Sequence, residues 1–174
     1  IADPVNPRLL GDVDTPGEAF DVAVSGTRAY VADQDSGLQV IDISDPTNPT
    51  LAGNYDTPGN AYGVAVAGDH AFVADFESGL QVIDISDPTN PTFTGSYDTP
   101  NTAVNVNIFG DFVFVLDGYF GFHVIDISDP TNPSLAGTSD TIQIFYPSDI
   151  AVHIAGNYIY VVDGADALKV LDIS

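Results

Sequence analysis

The segment Leu38-Gln-Val-Ile-Asp-Ile-Ser44 decides the fold, because nearly the same seven residues occur three more times. The other copies are LQVIDIS at 80–86, FHVIDIS at 122–128 and LKVLDIS at 168–174. Successive copies lie 42, 42 and 46 residues apart, and residues 3–44 aligned with 45–86 give 28 identities in 42 positions. A match of that length excludes chance, so the chain consists of tandem repeats of one structural unit.

Each repeat has the pattern of four short β-strands. β-Branched and aromatic residues fill the runs, as in Ala71-Phe-Val-Ala-Asp75, and turn residues separate them, as in Asp87-Pro-Thr-Asn-Pro91. No stretch has a convincing helical period. Four antiparallel strands in about 42 residues is the size of one blade of a β-propeller. We therefore predict an all-β fold, a β-propeller domain over 1–174 with repeats 3–44, 45–86, 87–128 and 129–174.

The alignment also predicts where the strands lie. Innermost strands are expected at about 19–24, 61–66, 103–108 and 149–154, and second strands at about 28–33, 70–75, 112–117 and 158–163. Third strands are expected at about 38–43, 80–85, 122–127 and 168–173, and outer strands at about 50–55, 92–97 and 134–138. The last repeat has no outer strand of its own.

The missing outer strand has a counterpart at the other end of the chain. Residues Arg8, Leu9, Leu10 and Val13 belong to a segment, 8–13, that matches the outer strand 50–55. An uncovered sheet edge promotes aggregation, so this assembly strand is expected to complete a blade. Three alternatives are open. The strand closes a four-bladed ring within one chain, or it pairs with another copy in an eight-bladed dimer or an open filament, or the 174 residues are part of a longer propeller of seven or eight blades.

The repeat resembles a known family. The string VIDIS-DPTNP, preceded by a strand like Ala29-Tyr-Val-Ala-Asp33 and a Ser-Gly turn, is similar to the LVIVD-repeat β-propellers over the whole chain. The resemblance implies the propeller fold and a setting in secreted or surface proteins of bacteria and archaea. It implies no catalytic motif, and fold alone does not establish function.

The charge balance narrows the possible partners. The chain has 25 acidic residues against three Lys and Arg, a net charge of −22, and no Cys. Nucleic acid and anionic membranes are therefore poor partners, and no apolar run approaches the roughly 20 residues that insert into a bilayer. The scarcity of Lys favours an extracellular or cell-surface location in salty water.

Repeated carboxylates are interpreted as structural. Asp33, Asp75, Asp117 and Asp163 end second strands, where an Asp side chain is expected to bond the following turn. Calcium is the one cofactor hypothesis, since hard cations prefer oxygen ligands. Its candidate ligands lie close together in pairs on two turns, Asp33 with Asp35 and Asp163 with Asp166. The three His residues occupy different repeat positions, so a catalytic or metal-binding cluster of them is not expected.

The positions where the repeats differ are the best candidates for binding. Loops at one rim carry apolar residues that the first repeat lacks, and the last of these loops is four residues longer than its counterparts. The predicted aromatic rim patch consists of Phe76, Tyr119, Phe120, Ile144, Phe145 and Tyr146. Exposed patches of this kind mark contact surfaces. The opposing interpretation is that the long loop buries its own aromatics.

These observations favour a non-catalytic interaction or assembly module whose partner is another copy, an extracellular protein or a glycan. The alternative is a propeller enzyme or lectin-like domain that acts on carbohydrate or another extracellular polymer. A cluster of carboxylates with raised pKa beside the aromatic loop would favour the enzyme.

Overall fold

Short antiparallel strands account for most of the chain in a computed structural model that describes residues 5–118, 121–139, 151–162 and 168–173. The first eight are β1 Asp21–Ser25, β2 Arg28–Ala32, β3 Leu38–Asp42, β4 Thr50–Tyr55, β5 Gly63–Ala67, β6 His70–Ala74, β7 Leu80–Asp84 and β8 Thr92–Tyr97. The others are β9 Ala103–Phe109, β10 Phe112–Asp117, β11 Phe122–Asp126, β12 Ser134–Ser139, β13 Ala151–Ala155, β14 Tyr158–Val162 and β15 Leu168–Asp172.

The strands form one antiparallel sheet per repeat. Blade 1 has the order β1-β2-β3-β4, blade 2 the order β5-β6-β7-β8, and blade 3 runs from β9 to β12 in the same way. Blade 4 has three strands in the described residues, β13-β14-β15. The predicted all-β fold with four propeller-type repeats is therefore confirmed. The innermost strands of blades 1 and 2 begin two residues later than predicted, and the other described strands agree within one or two residues.

The blades stack face to face, so a blade with a neighbour on each side buries both of its faces. We call the side of a blade that packs on the next blade along the chain its forward face, and the other side its rear face. The forward face of blade 1, with Tyr30, Leu38 and Val40, packs on the rear face of blade 2, with Val64 and Val73. Equivalent clusters join blade 2 to blade 3 and blade 3 to blade 4. Alternation along each strand supplies both apolar surfaces.

The turn between the third and outer strands is rigid. The Asp45 carboxylate accepts hydrogen bonds from the Thr47 backbone N–H at 2.9 Å and from the Thr47 hydroxyl at 2.7 Å. The same bonds recur at Asp87 and Asp129. Blade 1 packs closely on this turn of blade 2, because a Cβ on Gly53 would lie 2.5 Å from the Pro88 carbonyl oxygen.

Gly53→Ala is expected to lower the free energy of unfolding by about 1–3 kcal/mol, since backbone of the neighbouring blade must move to admit the methyl group. Asn54→Ala is the control, because Asn54 is exposed on the same strand and its replacement should cost less than about 0.5 kcal/mol. Urea unfolding followed by circular dichroism measures both. Equal effects of the two changes would contradict the close approach of blades 1 and 2.

Residues 8–13 differ from the prediction, because they are not in a strand. The segment lies instead beside blade 1, where an outer strand of a preceding blade would lie. A Cβ on Gly11 would be 2.8 Å from the Pro46 carbonyl oxygen, which repeats the contact of Gly53 with the next turn. Val13 packs with Ala29, Val31 and Ile41. A strand needs a neighbour for its hydrogen-bond ladder, and β15 does not lie beside this segment in the three-stranded sheet of blade 4.

Candidate functional site

The rear face of blade 1 is one uncovered end of the stack. Its innermost strand β1 exposes 57% of Val22 and 63% of Val24. Val64 occupies the position of Val22 in blade 2 and is only 4% exposed, because blade 1 covers it. The same sequence pattern is thus buried inside the stack and open at its end.

The forward face of blade 4 is the other uncovered end. Leu168 is 63% exposed and Val170 is 53% exposed, whereas their counterparts Leu38 and Val40 are fully buried. Val162 lies opposite Leu168 in the sheet and is also exposed. Within the stack, the forward face of each blade packs on the rear face of the next. The two ends expose one face of each type. We call them the end faces.

The assembly segment 8–13 borders the first end face. Its residues Arg8, Leu9 and Leu10 are exposed, and Val13 is half-buried against blade 1. The segment therefore covers the outer part of the rear face and leaves Val22 and Val24 open.

A buried carboxylate fastens each of the first three blades. The Asp75 carboxylate accepts the Thr57 hydroxyl at 2.6 Å and the Gly59 backbone N–H at 2.8 Å. Asp33 accepts the equivalent bonds from Thr15 and Gly17. These side chains therefore reach back to the loop before the innermost strand, and not to the following turn as predicted. Burial raises the pKa of the Asp75 carboxyl, although the bonds from Thr57 and Gly59 oppose that rise.

Blade 3 replaces part of this arrangement with a buried His–Asp pair. His123 occupies the position of Gln39 and Gln81, and its Nε2 lies 3.2 Å from an Asp117 carboxylate oxygen. Burial raises the pKa of Asp117, and the neighbouring His123 acts in the opposite direction. Among the described residues, the other Asp117 oxygen, the Thr99 hydroxyl and His123 Nδ1 are buried and have no partner within hydrogen-bond geometry.

The calcium candidates do not converge in the described part of the chain. The two Asp33 oxygens are already engaged by Thr15 and Gly17, and Asp33 is fully buried. Asp35 lies on the surface and lines an open cleft of about 480 Å³ with Gln39, Asn54 and Asp56. Asp163 and Asp166 lie outside the described residues. Among the residues described, no three His, Asp or Glu side chains are grouped to hold a metal ion.

The aromatic rim patch is described only at Phe76, since Tyr119, Phe120, Ile144, Phe145 and Tyr146 lie outside the described residues. Phe76 has a φ of +50° and exchanges two backbone hydrogen bonds with Ala103 of blade 3. Its ring lies 5.3 Å from the Tyr62 ring, which in turn lies 4.7 Å from the Phe20 ring.

The sequence analysis missed Phe20 and Tyr62 as members of this aromatic row. Both residues occupy the same repeat position, just before the innermost strand, and an aromatic residue repeated there was the signal that could have indicated the contact. The predicted innermost strands include both positions, and an aromatic residue inside a strand indicates no special role. The loops that carry Phe76 and Thr57 do meet on one face, as predicted, because Thr57 bonds Asp75 beside Phe76.

All four repeats match the model of one protein family. The model of the LVIVD repeat matches residues 16–57, 58–99, 101–141 and 148–174. No curated protein matches the chain.

Solved structures show similarity of fold at low sequence identity. The computationally designed Ika4 protein has a TM-score of 0.72 at 14% identity, with 98% of this chain and 100% of that chain covered. The computationally designed Ika8 protein has a TM-score of 0.65 at 11% identity and coverages of 89% and 46%. BamB from Moraxella catarrhalis has a TM-score of 0.69 at 13% identity and coverages of 92% and 48%. The chain thus spans about half the length of Ika8 and BamB.

Proposed function

This chain belongs to the LVIVD repeat family, and we propose that it works as a non-catalytic interaction and assembly module outside the cell or on its surface. The main support for this proposal comes from the two end faces. Val22, Val24, Leu168 and Val170 present apolar area to water at the two ends of the stack, whereas blade-to-blade contacts bury their counterparts. Exposed apolar side chains that stand together on one face of a protein mark surfaces for association.

The placement of the carboxylates supports the non-catalytic part of the proposal. Asp75 and Asp117 have raised pKa values, as an acid catalyst needs. However, both are fully buried and lie in different blades. A general acid must reach its substrate, and these side chains are positioned to hold loops instead.

The charge of the chain supports the proposed setting. A net charge of −22 resists non-specific aggregation and disfavours contact with nucleic acid or anionic lipid. In the described residues, no helix has the length and apolar character needed to cross a membrane.

Light scattering of the purified chain tests whether it assembles. We expect a molar mass above the 18.3 kDa of one chain, increasing with protein concentration until assembly is complete. Salt should strengthen the assembly, because it screens the repulsion between acidic copies. Leu168→Asp should lower the mass towards 18.3 kDa, because it places a charge in a buried apolar contact.

Leu135→Asp is the matched control, since Leu135 is an exposed leucine on outer strand β12 of blade 3, which has blade 2 on one side and blade 4 on the other. Its mass should equal that of the unchanged chain. A mass of 18.3 kDa for the unchanged chain at every concentration and salt level would refute the assembly role.

A further inference from the structure

We propose that the occupant of both end faces is a second copy of this chain, and that two copies close into one ring of eight blades. In this ring the assembly segment of each copy pairs with β15 of the other in the position of an outer strand. This inference rests on the proposed assembly function and names its partner.

The register of the complete blades predicts which residues meet at the new ladder. In blade 1, Gln39 lies opposite Asn54 and Asp42 opposite Thr50. The same repeat positions in β15 and the assembly segment place Lys169 opposite Asp12, and Asp172 opposite Arg8. Both of these cross-strand pairs have opposite charges, which stabilise an antiparallel ladder.

These charge pairs are specific to the incomplete junction. Blade 2 has Gln81 opposite Ser96 and Asp84 opposite Thr92. In blade 3, His123 lies opposite Thr138 and Asp126 opposite Ser134. No complete ladder therefore has two oppositely charged residues at either position. The chain has only three Lys and Arg, and two of them fall at this junction, each opposite a carboxylate.

The apolar faces agree with the charge pairs. Leu168 and Val170 repeat the forward-face pattern of Leu38 and Val40, which is buried against the rear face of the following blade. The rear face of blade 1 is therefore the natural surface for the forward face of blade 4. Such a head-to-tail contact closes a ring only if the rotations between blades sum to a full turn.

The structure favours two copies over closure within one chain. The assembly segment is docked on blade 1 of its own chain through Gly11 and Val13. Yet Leu9 is 82% exposed, and β15 at the other end of the stack exposes its forward face. Two copies would match the length of Ika8 and BamB, of which this chain covers 46% and 48%, whereas one copy already covers all of Ika4. The open end faces, and not these lengths, therefore favour two copies.

Two charge-reversed variants test the inference. The head-reversed variant carries Arg8→Asp and Asp12→Lys, and the tail-reversed variant carries Lys169→Asp and Asp172→Lys. Each variant alone places like charges opposite each other at both junctions. A mixed pair restores opposite charges at both junctions. At one junction the reversed assembly segment meets the reversed β15, and at the other the unchanged assembly segment meets the unchanged β15. Circular dichroism and thermal unfolding of each variant check that the blades remain folded.

We expect light scattering to give twice 18.3 kDa for the unchanged chain. Each variant alone should associate roughly 100-fold more weakly, as four reversed pairs per ring imply. The equimolar mixture should regain the two-copy mass. This rescue requires contact between different chains, so it is not a consequence of changed stability.

Three results would overturn the inference, and they differ in whether the assembly function survives. An open-ended series of masses, or association that ignores the charge reversals, would contradict the two-copy ring and leave the assembly function standing. A single-chain mass under all conditions would contradict both. A two-copy mass that neither variant changes would show that the copies associate through another surface.

Discussion

Leu80→Ala is expected to lower the free energy of unfolding by about 2–5 kcal/mol, because it opens a cavity between blades 2 and 3. Leu80 is fully buried at the start of β7. It belongs to the cluster that includes Phe72 and Val82 of blade 2 and Val106 of blade 3. Both blades are fixed by their own ladders, so the cavity cannot collapse without shifting a whole sheet. Urea unfolding followed by circular dichroism measures the loss.

Leu168→Ala is the matched control for this prediction, since Leu168 occupies the same repeat position at the open end of the stack. The control is measured in the tail-reversed variant, which is expected to be monomeric. There Leu168→Ala should lower the free energy of unfolding by less than about 1 kcal/mol, because most of the Leu168 side chain already contacts water. Stack stability is approximately a sum of blade and interface contributions, so an unchanged urea m-value is needed for the comparison. Similar losses at both positions would mean that the forward face of blade 4 is covered in the single chain.

The positions of the strands were predictable because they depend on local patterns. Apolar alternation sets the strand interiors, and the repeated Asp-Pro-Thr-Asn-Pro turn sets their ends in each copy. The strand pattern does not account for the two-residue delay of β1 and β5, whereas β9 begins where it was predicted. The carboxylates of Asp33 and Asp75 hold the loops before β1 and β5, but Asp117 also holds the loop before β9, so this contact is not the cause.

The state of residues 8–13 was not predictable from the repeat alone. The alignment matches this segment with an outer strand, and Gly11 makes the same close contact with a turn as Gly53 does. Whether it forms a ladder depends on where β15 lies. That position follows from rotations summed over the blade interfaces, and no local pattern encodes such a sum.

The candidate site was only partly predictable from the sequence. The repeat pattern indicated which loops share a face, and the structure joins them through Thr57 and Asp75. It did not indicate that His123 would contact Asp117, because side-chain direction across a sheet depends on the register of β10 and β11. The proposed charge pairs at the assembly segment also depend on register, because they follow from pairing this segment with β15 as β4 pairs with β3 in blade 1.

Asp75→Ala is the second change with a large expected effect, a loss of about 2–4 kcal/mol in the free energy of unfolding. The Thr57 hydroxyl and the Gly59 N–H both donate to this carboxylate, and Thr57 is itself buried. Alanine leaves both donors without an acceptor, and each buried unsatisfied group costs about 1–3 kcal/mol. Thermal and urea unfolding measure the effect.

Asp75→Asn separates the hydrogen bonds from the charge. Its amide oxygen can accept from Gly59 while its amide nitrogen donates to the Thr57 oxygen, so the loss at neutral pH should be only about 1 kcal/mol. A loss as large as that of Asp75→Ala would mean that the negative charge, and not the bonding pattern, holds the loop.

The pH dependence of that comparison follows from the raised pKa of Asp75. Its value in the unfolded chain is 3.8, and burial raises it in the folded blade, so the folded state binds more protons between the two values. This group therefore lowers the stability of the unchanged chain as pH rises from 3.8 through the folded pKa. Asn does not titrate, so the destabilisation by Asp75→Asn should be larger near about pH 3 than near about pH 7.

The exposed carboxylates cancel in this difference. Hydrogen bonds from Ser44 and Ser86 lower the pKa of Asp42 and Asp84, so these groups stabilise both chains above the unfolded pKa and lose that contribution as pH falls. Urea unfolding of the two chains at matched pH values, away from the isoelectric point of 4.1, isolates Asp75. A difference that grows as pH rises would show that the ionised form is the stabilised one, and that the bonds from Thr57 and Gly59 outweigh burial.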